Sequence, residues 1–267
     1  MPISVGMTQP PAIAFDAVRK TFGDGRQVLD GVSLAVPAGQ FVAVVGASGA
    51  GKTTLLRLIN RLADASAGAV QVDGEDVQAT DPIALRRRIG YVFQGVGLFP
   101  HMTVGENIAV TPRLLGWDAA RIAARVAELI ALVRLDPARH RDRFPHQLSG
   151  GERQRVGVAR ALAAGPRIVL MDEPFGALDP LTRDALATDY RGLHEKLGLT
   201  SVMITHDLNE ALLIADRIVV LSDGRVVADA SPHALMTKEQ TAYVRDLTDA
   251  PRRQADRLRA LVDGAPR

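Results

Sequence analysis

The feature that most narrows what this chain can fold into is the join between Phe41-Val42-Ala43-Val44-Val45 and Gly46-Ala47-Ser48-Gly49-Ala50-Gly51-Lys52-Thr53. A short apolar run rich in β-branched residues reads as a strand buried on both faces, as in a parallel sheet. Three glycines then break it, and Thr53 to Ile59 resumes at helical spacing. Glycines at these positions let the backbone fold tightly, so that successive N–H groups turn inward and cradle phosphate oxygens. The following helix adds its positive N-terminal end. Lys52 reaches the β- and γ-phosphates as a point charge, and the Thr53 hydroxyl is a ligand for Mg²⁺. From the chain's own residue frequencies, an accidental match to this spacing has a probability of roughly 0.003, which sets aside a glycine-rich turn with a stray lysine. The expectation is a nucleoside triphosphate site, with Gly46, Ala47, Ser48, Gly49, Ala50, Gly51, Lys52, Thr53 and Thr54 around the phosphates.

Further short apolar runs, Ile168 to Met171 and Val202 to Thr205, alternate with longer helical stretches. Ile218 to Leu221, Ser222-Asp223-Gly224 and Arg225 to Ala228 read as a strand, a tight turn and a returning strand. Strands alternating with helices predict an α/β fold on a largely parallel sheet. From about Val104 to Leu162 the strand signal fades, and Ala119 to Val133 puts Ile122, Val126, Leu129, Ile130 and Val133 on one helical face. That stretch reads as a helical insertion. The first residues, around Pro10-Pro11, read as a loose arm; beyond Pro232 the chain is helical and charged, with Arg252 to Arg259 a solvated face.

Composition removes several classes of function. A length of 267 residues fits one large domain or two small ones. With no cysteine, disulfides, thiolate metal sites and cysteine nucleophiles are excluded. Thirty-two basic against 30 acidic residues is too even a balance for a nucleic-acid protein, and one tryptophan among 4% aromatics argues against base-stacking platforms. No window offers the ~20 apolar residues of a membrane span, and the start lacks a basic segment leading into an apolar run. These absences predict a cytoplasmic chain.

The run Ile168-Val169-Leu170-Met171-Asp172-Glu173 adds the chemistry. A buried strand ending in two acids sets their carboxylates at the edge of the sheet where open α/β folds bind ligands. Adjacent strand residues point to opposite faces, so the two are expected to do different work. Asp172 would hold Mg²⁺, and Glu173 would polarise or deprotonate an attacking water. His206 ends a third apolar run in the same manner, which favours a γ-phosphate contact. The other histidines show no metal-ligand spacing with nearby acids.

Here the chain resembles the ATP-binding cassette ATPases, the nucleotide-binding subunits of ABC transporters. Leu148-Ser149-Gly150-Gly151-Glu152-Arg153-Gln154-Arg155 looks like that family's signature motif; Gln94 matches its Q-loop glutamine, Ala177-Leu178-Asp179 its D-loop, His206 its switch histidine, and Phe22 the aromatic that stacks on adenine. The resemblance covers roughly residues 12–232, leaving 1–11 as an N-terminal arm and 233–267 as a C-terminal helical tail. It implies a P-loop NTPase fold: a RecA-like parallel-sheet core, an antiparallel β subdomain and an α-helical subdomain inserted at about 95–162. It also implies ATP hydrolysis, with Glu173, His206, Gln94 and Lys52 catalytic; with Phe22, the phosphate loop, Ser149, Gly150, Gly151 and Asp179 on the nucleotide; and with Thr53, Gln94 and Asp172 on Mg²⁺. Two residues depart from the pattern, Glu152 for the commoner glutamine and Phe22 for tyrosine, and neither removes a needed group.

In that family two cassettes pair head to tail. Ser149, Gly150 and Gly151 open a second anion-binding helix, from about Glu152 to Ala164, which the chain's single phosphate loop cannot also serve. The implied partners are a second copy of the chain, a transmembrane permease and, indirectly, a substrate-binding protein, with no nucleic acid; the implied place is the inner face of the membrane, attached peripherally through the permease. The exposed apolar pair Leu98-Phe99 would fit a groove receiving a permease helix. The stretches from Gly97 to Trp117, Arg141 to Gly151 and Met171 to Arg183 are most similar to the osmoprotectant branch, which serves uptake of glycine betaine, choline, carnitine or proline. Amino-acid, sulfonate and polyamine importers use similar cassettes. Cassettes acting on nucleic acid or ribosomes usually carry two copies or long coiled-coil insertions, which this chain lacks.

Overall fold

The computed structural model describes residues 10–237, 241–249, 253 and 259. The expected N-terminal arm, apart from Pro10 and Pro11, and the Arg252–Arg259 run, apart from Arg253 and Arg259, lie outside the described residues. Two antiparallel strands, β1 (Ile13–Thr21) and β2 (Gln27–Val36), lead to β3 (Phe41–Val45), the phosphate loop and α1 (Lys52–Ile59). The chain then forms β4 (Ala67–Val72), β5 (Glu75–Asp76), α2 (Pro82–Arg88) and β6 (Ile89–Val92). A helical segment follows, made of α3 (Val104–Leu114), α4 (Ala119–Leu132), α5 (Pro137–His140) and α6 (Gly150–Ala161). The return is β7 (Ile168–Asp172), α7 (Pro180–Leu197), β8 (Thr200–Thr205), α8 (Leu208–Ile214), β9 (Arg217–Ser222), β10 (Arg225–Ala230) and α9 (Pro232–Thr237), with a last described helical run at 242–249.

The larger sheet runs β10-β9-β3-β8-β7-β6, parallel from β9 to β6, with β10 returning antiparallel as the expected hairpin. The smaller sheet, β2-β1-β4-β5, is antiparallel throughout. β3 shows why its sequence is apolar on both faces. Phe41, Ala43 and Val45 join the core under α6, α7 and α8, while Val42 and Val44 join a second core in which α1 lies against both sheets.

Register is what assembles the site. Val45 pairs with Thr205, Asp172 with Ile204, and Val92 with Met171, so four parallel strands end level with one another. The residues just past those ends, Gly46, Glu173, His206 and Gln94, therefore share one edge of the sheet. The helix expected from about Glu152 to Ala164 instead begins at Gly150 and stops at Ala161. Its start moves up because Ser149 supplies the cap, and its end is closed by the Leu162 N–H on the carbonyls of Arg160 and Val158.

Candidate functional site

The phosphate loop depends on glycine at both of its ends. A Cβ at Gly46 would lie 2.2 Å from the Leu221 carbonyl oxygen. Gly51, the N-cap of α1, has φ 101° and no room either, since a Cβ there would meet the Val28 carbonyl oxygen at 2.7 Å. No side chain caps α1 and no acid sits in its first turn, so its first amides remain available to an anion. Lys52 is buried, and its Nζ donates to the carbonyls of Gly46 at 2.7 Å and Ala47 at 2.9 Å. Burial pulls its pKa down, while the nearby Glu173 and Asp172 work to raise it.

Asp172 ends β7 in a buried position, accepting a long bond of 3.4 Å from the Tyr91 hydroxyl. Burial raises its pKa, against the opposing effects of Tyr91, Arg57 and Lys52. Burial and Asp172 together push the Tyr91 hydroxyl up as well. Glu173 lies just outside the strand rather than continuing it, and its carboxylate meets other neighbours than that of Asp172. The strand stops at Asp172, and Glu173 turns out of it with φ 43° while its N–H still donates to Ile204 O at 3.0 Å. A non-glycine residue in this region carries roughly 1–3 kcal/mol of strain and is held only where its surroundings dictate it.

That turn aims the Glu173 carboxylate at two neighbours. Gln94 Nε2 donates to Oε2 at 3.1 Å, and His206 Nδ1 lies 3.3 Å from the same oxygen. Gln94, Glu173 and His206 line a cavity of about 390 Å³, whose wall also includes Gly150 and Leu178. Thr53 and Asp172 contribute a hydroxyl and a carboxylate, hard oxygen donors that suit Mg²⁺. Among the described residues no cluster of three or more His, Asp or Glu could hold an ion unaided. A carboxylate whose charged form burial disfavours despite Tyr91, Arg57 and Lys52 fits a cation that brings its remaining ligands as water or phosphate.

The other expected residues sit apart from this cluster. Phe22 follows β1 with its ring exposed, Lys20 Nζ 5.1 Å and Arg26 Cζ 5.8 Å from the ring centre. Ser149 caps α6: its hydroxyl accepts from Glu152 N–H at 3.2 Å, and Glu152 accepts from Ser149 N–H at 2.8 Å. Those bonds, with His140 Nε2 at 3.1 Å, draw the Glu152 carboxyl down to about 2. Asp179 caps α7 by accepting from Thr182 N–H at 3.0 Å, which holds its carboxyl below the usual range. Gly151 lies against α7, where a Cβ would meet Thr182 Cγ2 at 2.7 Å.

Leu98 corrects one expectation. It packs onto the core, and the exposed apolar surface there comes from Phe93 and Phe99 instead. The two rings flank the Arg160 guanidinium at 5.7 and 5.9 Å, and Arg160 in turn donates to the carbonyls of Gly97 and Val96 at 2.7 and 3.0 Å. Tyr91 and Arg160 are contacts that sequence reasoning did not single out. Tyr91 stands in a strand run and Arg160 inside a helix, so neither spacing marks them.

Residues 29–176 match the family described as ABC transporter. The choline transport ATP-binding protein OpuBA of Bacillus subtilis is 45% identical over 234 residues, 88% of this chain and 61% of that protein. The glycine betaine uptake system ATP-binding protein YehX of Escherichia coli is 47% identical over 233 residues, 87% of this chain and 75% of that protein. This chain thus spans only about three fifths of the length of OpuBA. Among solved structures, a dimeric post-hydrolysis state of the ATP-binding cassette MJ0796 bound to ADP and Pi aligns with a TM-score of 0.74 at 34% identity, covering 82% of this chain and 98% of that one.

Proposed function

This chain belongs to the ABC transporter family, and from that premise we propose that it is the ATP-hydrolysing subunit of an importer. The observation that carries the reading is the convergence of Gln94 Nε2 and His206 Nδ1 on Glu173 Oε2, at the sheet edge shared with Asp172 and the phosphate loop. The loop amides and Lys52 hold the triphosphate by its β- and γ-phosphates. Glu173 Oε2, aimed by Gln94 and His206, accepts the proton of the attacking water. Thr53, Gln94 and Asp172 would hold Mg²⁺, which when bound would neutralise charge developing on the phosphates. Phe22 offers its ring face to the adenine.

Two copies pair head to tail, so that Ser149, Gly150, Gly151 and Asp179 of one copy close on the nucleotide of the other. Likeness to a dimeric cassette supports this arrangement. A permease helix occupies the groove of about 500 Å³ lined by Tyr91, Phe93, Phe99, Val110 and Arg160. Its floor joins the Gln94 segment through Arg160, so movement of the permease reaches the residue that touches Glu173. No helix among the described residues is long and apolar enough to cross a membrane. On the family reading the chain works on the cytoplasmic face, attached through the permease, which meets the substrate-binding protein on the other side.

The cargo is an osmoprotectant of the quaternary-amine class or proline, supported by likeness to the choline and glycine betaine proteins. Glu173→Gln should cut ATP turnover at least ~100-fold while leaving ATP binding intact and trapping a stable ATP-bound dimer, measured by phosphate release and by sedimentation. A variant that hydrolyses ATP normally would remove Glu173 from the reaction. For the cargo, the partner binding protein should take up betaine, choline, carnitine or proline; preference for a sugar or an inorganic anion would overturn the substrate class.

A further inference from the structure

The Ala47 N–H, at the start of the phosphate loop, donates to the Tyr243 hydroxyl at 3.1 Å. Tyr243 belongs to the helical run at 242–249, well beyond the stretch that carries the site. Within that run, Val244 is fully buried and Thr248 nearly so, while Tyr243 and Leu247 pack onto the core shared by β3, β9 and α8. Positions 243, 244, 247 and 248 form one helical face, so this segment docks by a continuous stripe rather than by a single contact. Leu235 of α9 is buried in the same core and anchors the chain just before it.

The docked face lies on the side of the sheet opposite α1: Ala43 and Val45 share the Val244 core, while Leu55 and Leu56 of α1 share the other. The tyrosine thus reaches the loop from behind. It takes an amide at the strand end and leaves the amides of the α1 terminus to the phosphates. Ala47 is secured on both sides, since its carbonyl accepts from Lys52 Nζ at 2.9 Å and from Ala50 N–H at 3.2 Å. Among the described residues, Tyr243 is the side chain that grips this loop from outside the cassette stretch 12–232.

We propose that Tyr243 is a positioning residue for the phosphate loop, and that the docked helix 242–249 is a brace whose seating sets nucleotide affinity. The brace fixes the Ala47 peptide and, through the Ala47 carbonyl, the resting place of Lys52. The nucleotide part of this proposal rests on the ATP-binding reading above; the brace itself does not.

The test uses the full chain and Tyr243→Phe, which keeps the ring and removes only the hydroxyl. Hydrogen exchange of the Ala47 amide in the nucleotide-free chain should speed up about 3- to 10-fold in the variant, the loss expected for one hydrogen bond. The Kd for ATP should rise about 3- to 10-fold while Tm and kcat stay within error, a pattern that a purely structural role would reverse. Tyr243→Leu, which keeps apolar bulk, should match Tyr243→Phe in affinity. Unchanged Ala47 exchange overturns the brace. Faster exchange with unchanged or tighter ATP binding overturns the positioning role. Wild-type chain that binds no ATP overturns the function proposed above, while the exchange measurement still decides whether the brace exists.

Discussion

Two helices of this chain, α1 and α6, begin beside glycines at the functional edge, and they are capped in opposite ways. At α1 the cap is Gly51, which lends no side-chain acceptor and is followed by no acid in the first turn. At α6 the cap is Ser149, which forms a reciprocal pair with Glu152, a carboxylate set inside the first turn. The first amides of any helix need partners. α1 leaves that need open to an outside anion, whereas α6 meets part of it from within and places its own negative charge at the positive pole. The first end can hold a phosphate by itself. The second, with its own carboxylate beside it, suits an anion held elsewhere, in keeping with the shared site proposed above.

The largest effect should come from closing the open end. Gly51→Ala forces a Cβ into φ 101° and to within 2.7 Å of a backbone oxygen. Stability should fall by about 2–4 kcal/mol in urea unfolding, with ATP binding lost. Gly150→Ala at the self-capped end meets nothing nearer than 3.6 Å, so the same substitution there should cost under ~1 kcal/mol. Equal costs at the two ends would break the comparison.

Asp172 sharpens it from the other side. Its carboxyl is buried and its pKa raised, so the ionised form opposes folding at neutral pH. Asp172→Asn should therefore stabilise the nucleotide-free chain by about 0.5–2 kcal/mol at pH 7, with Mg²⁺-dependent turnover falling. Because the folded pKa lies above the ordinary 3.8, the gain should shrink as pH falls through the folded value and vanish below 3.8, where both states are protonated. A gain that persisted under acid would mean the carboxylate is not the source.

Most of this architecture was legible in the sequence because its signals are local. A buried strand running into Gly46–Thr53 fixes a strand, loop and helix, and Ile168–Asp172, Val202–Thr205 and the Ser222-Asp223-Gly224 turn declare their elements by composition. What stayed hidden depends on register or on chain folding back. The turn at Glu173, with φ 43° and its N–H still bonded to Ile204 across the sheet, has no mark in the local sequence. Alternation alone did not show that the strand ends at Asp172, although the two carboxylates do meet different neighbours, Tyr91 for Asp172 and Gln94 with His206 for Glu173. Leu98 reads as exposed because its neighbours are glycine and phenylalanine, yet the fold gives it a core to cover. Tyr243 lies 196 residues from Ala47, and no local pattern connects them.

The smallest effect concerns the departure at position 152. Glu152→Gln keeps a side-chain oxygen to accept from Ser149 N–H and removes only the charge, so the cap survives. Glu152 is held at about 2, below its ordinary 4.5, so its ionised form adds stability that is present above 4.5 and lost as pH falls toward 2. The difference between wild type and Glu152→Gln should therefore be under ~1 kcal/mol at pH 7 and close across that acid window, followed by circular dichroism. Function should move the opposite way. Taking a negative charge from the α6 terminus should tighten ATP-driven pairing about 2- to 5-fold in the Glu173→Gln background, the change expected for one charge at a helix end. Weaker pairing would mean that Glu152 serves the shared site through His140, its partner at 3.1 Å, rather than opposing the incoming phosphate.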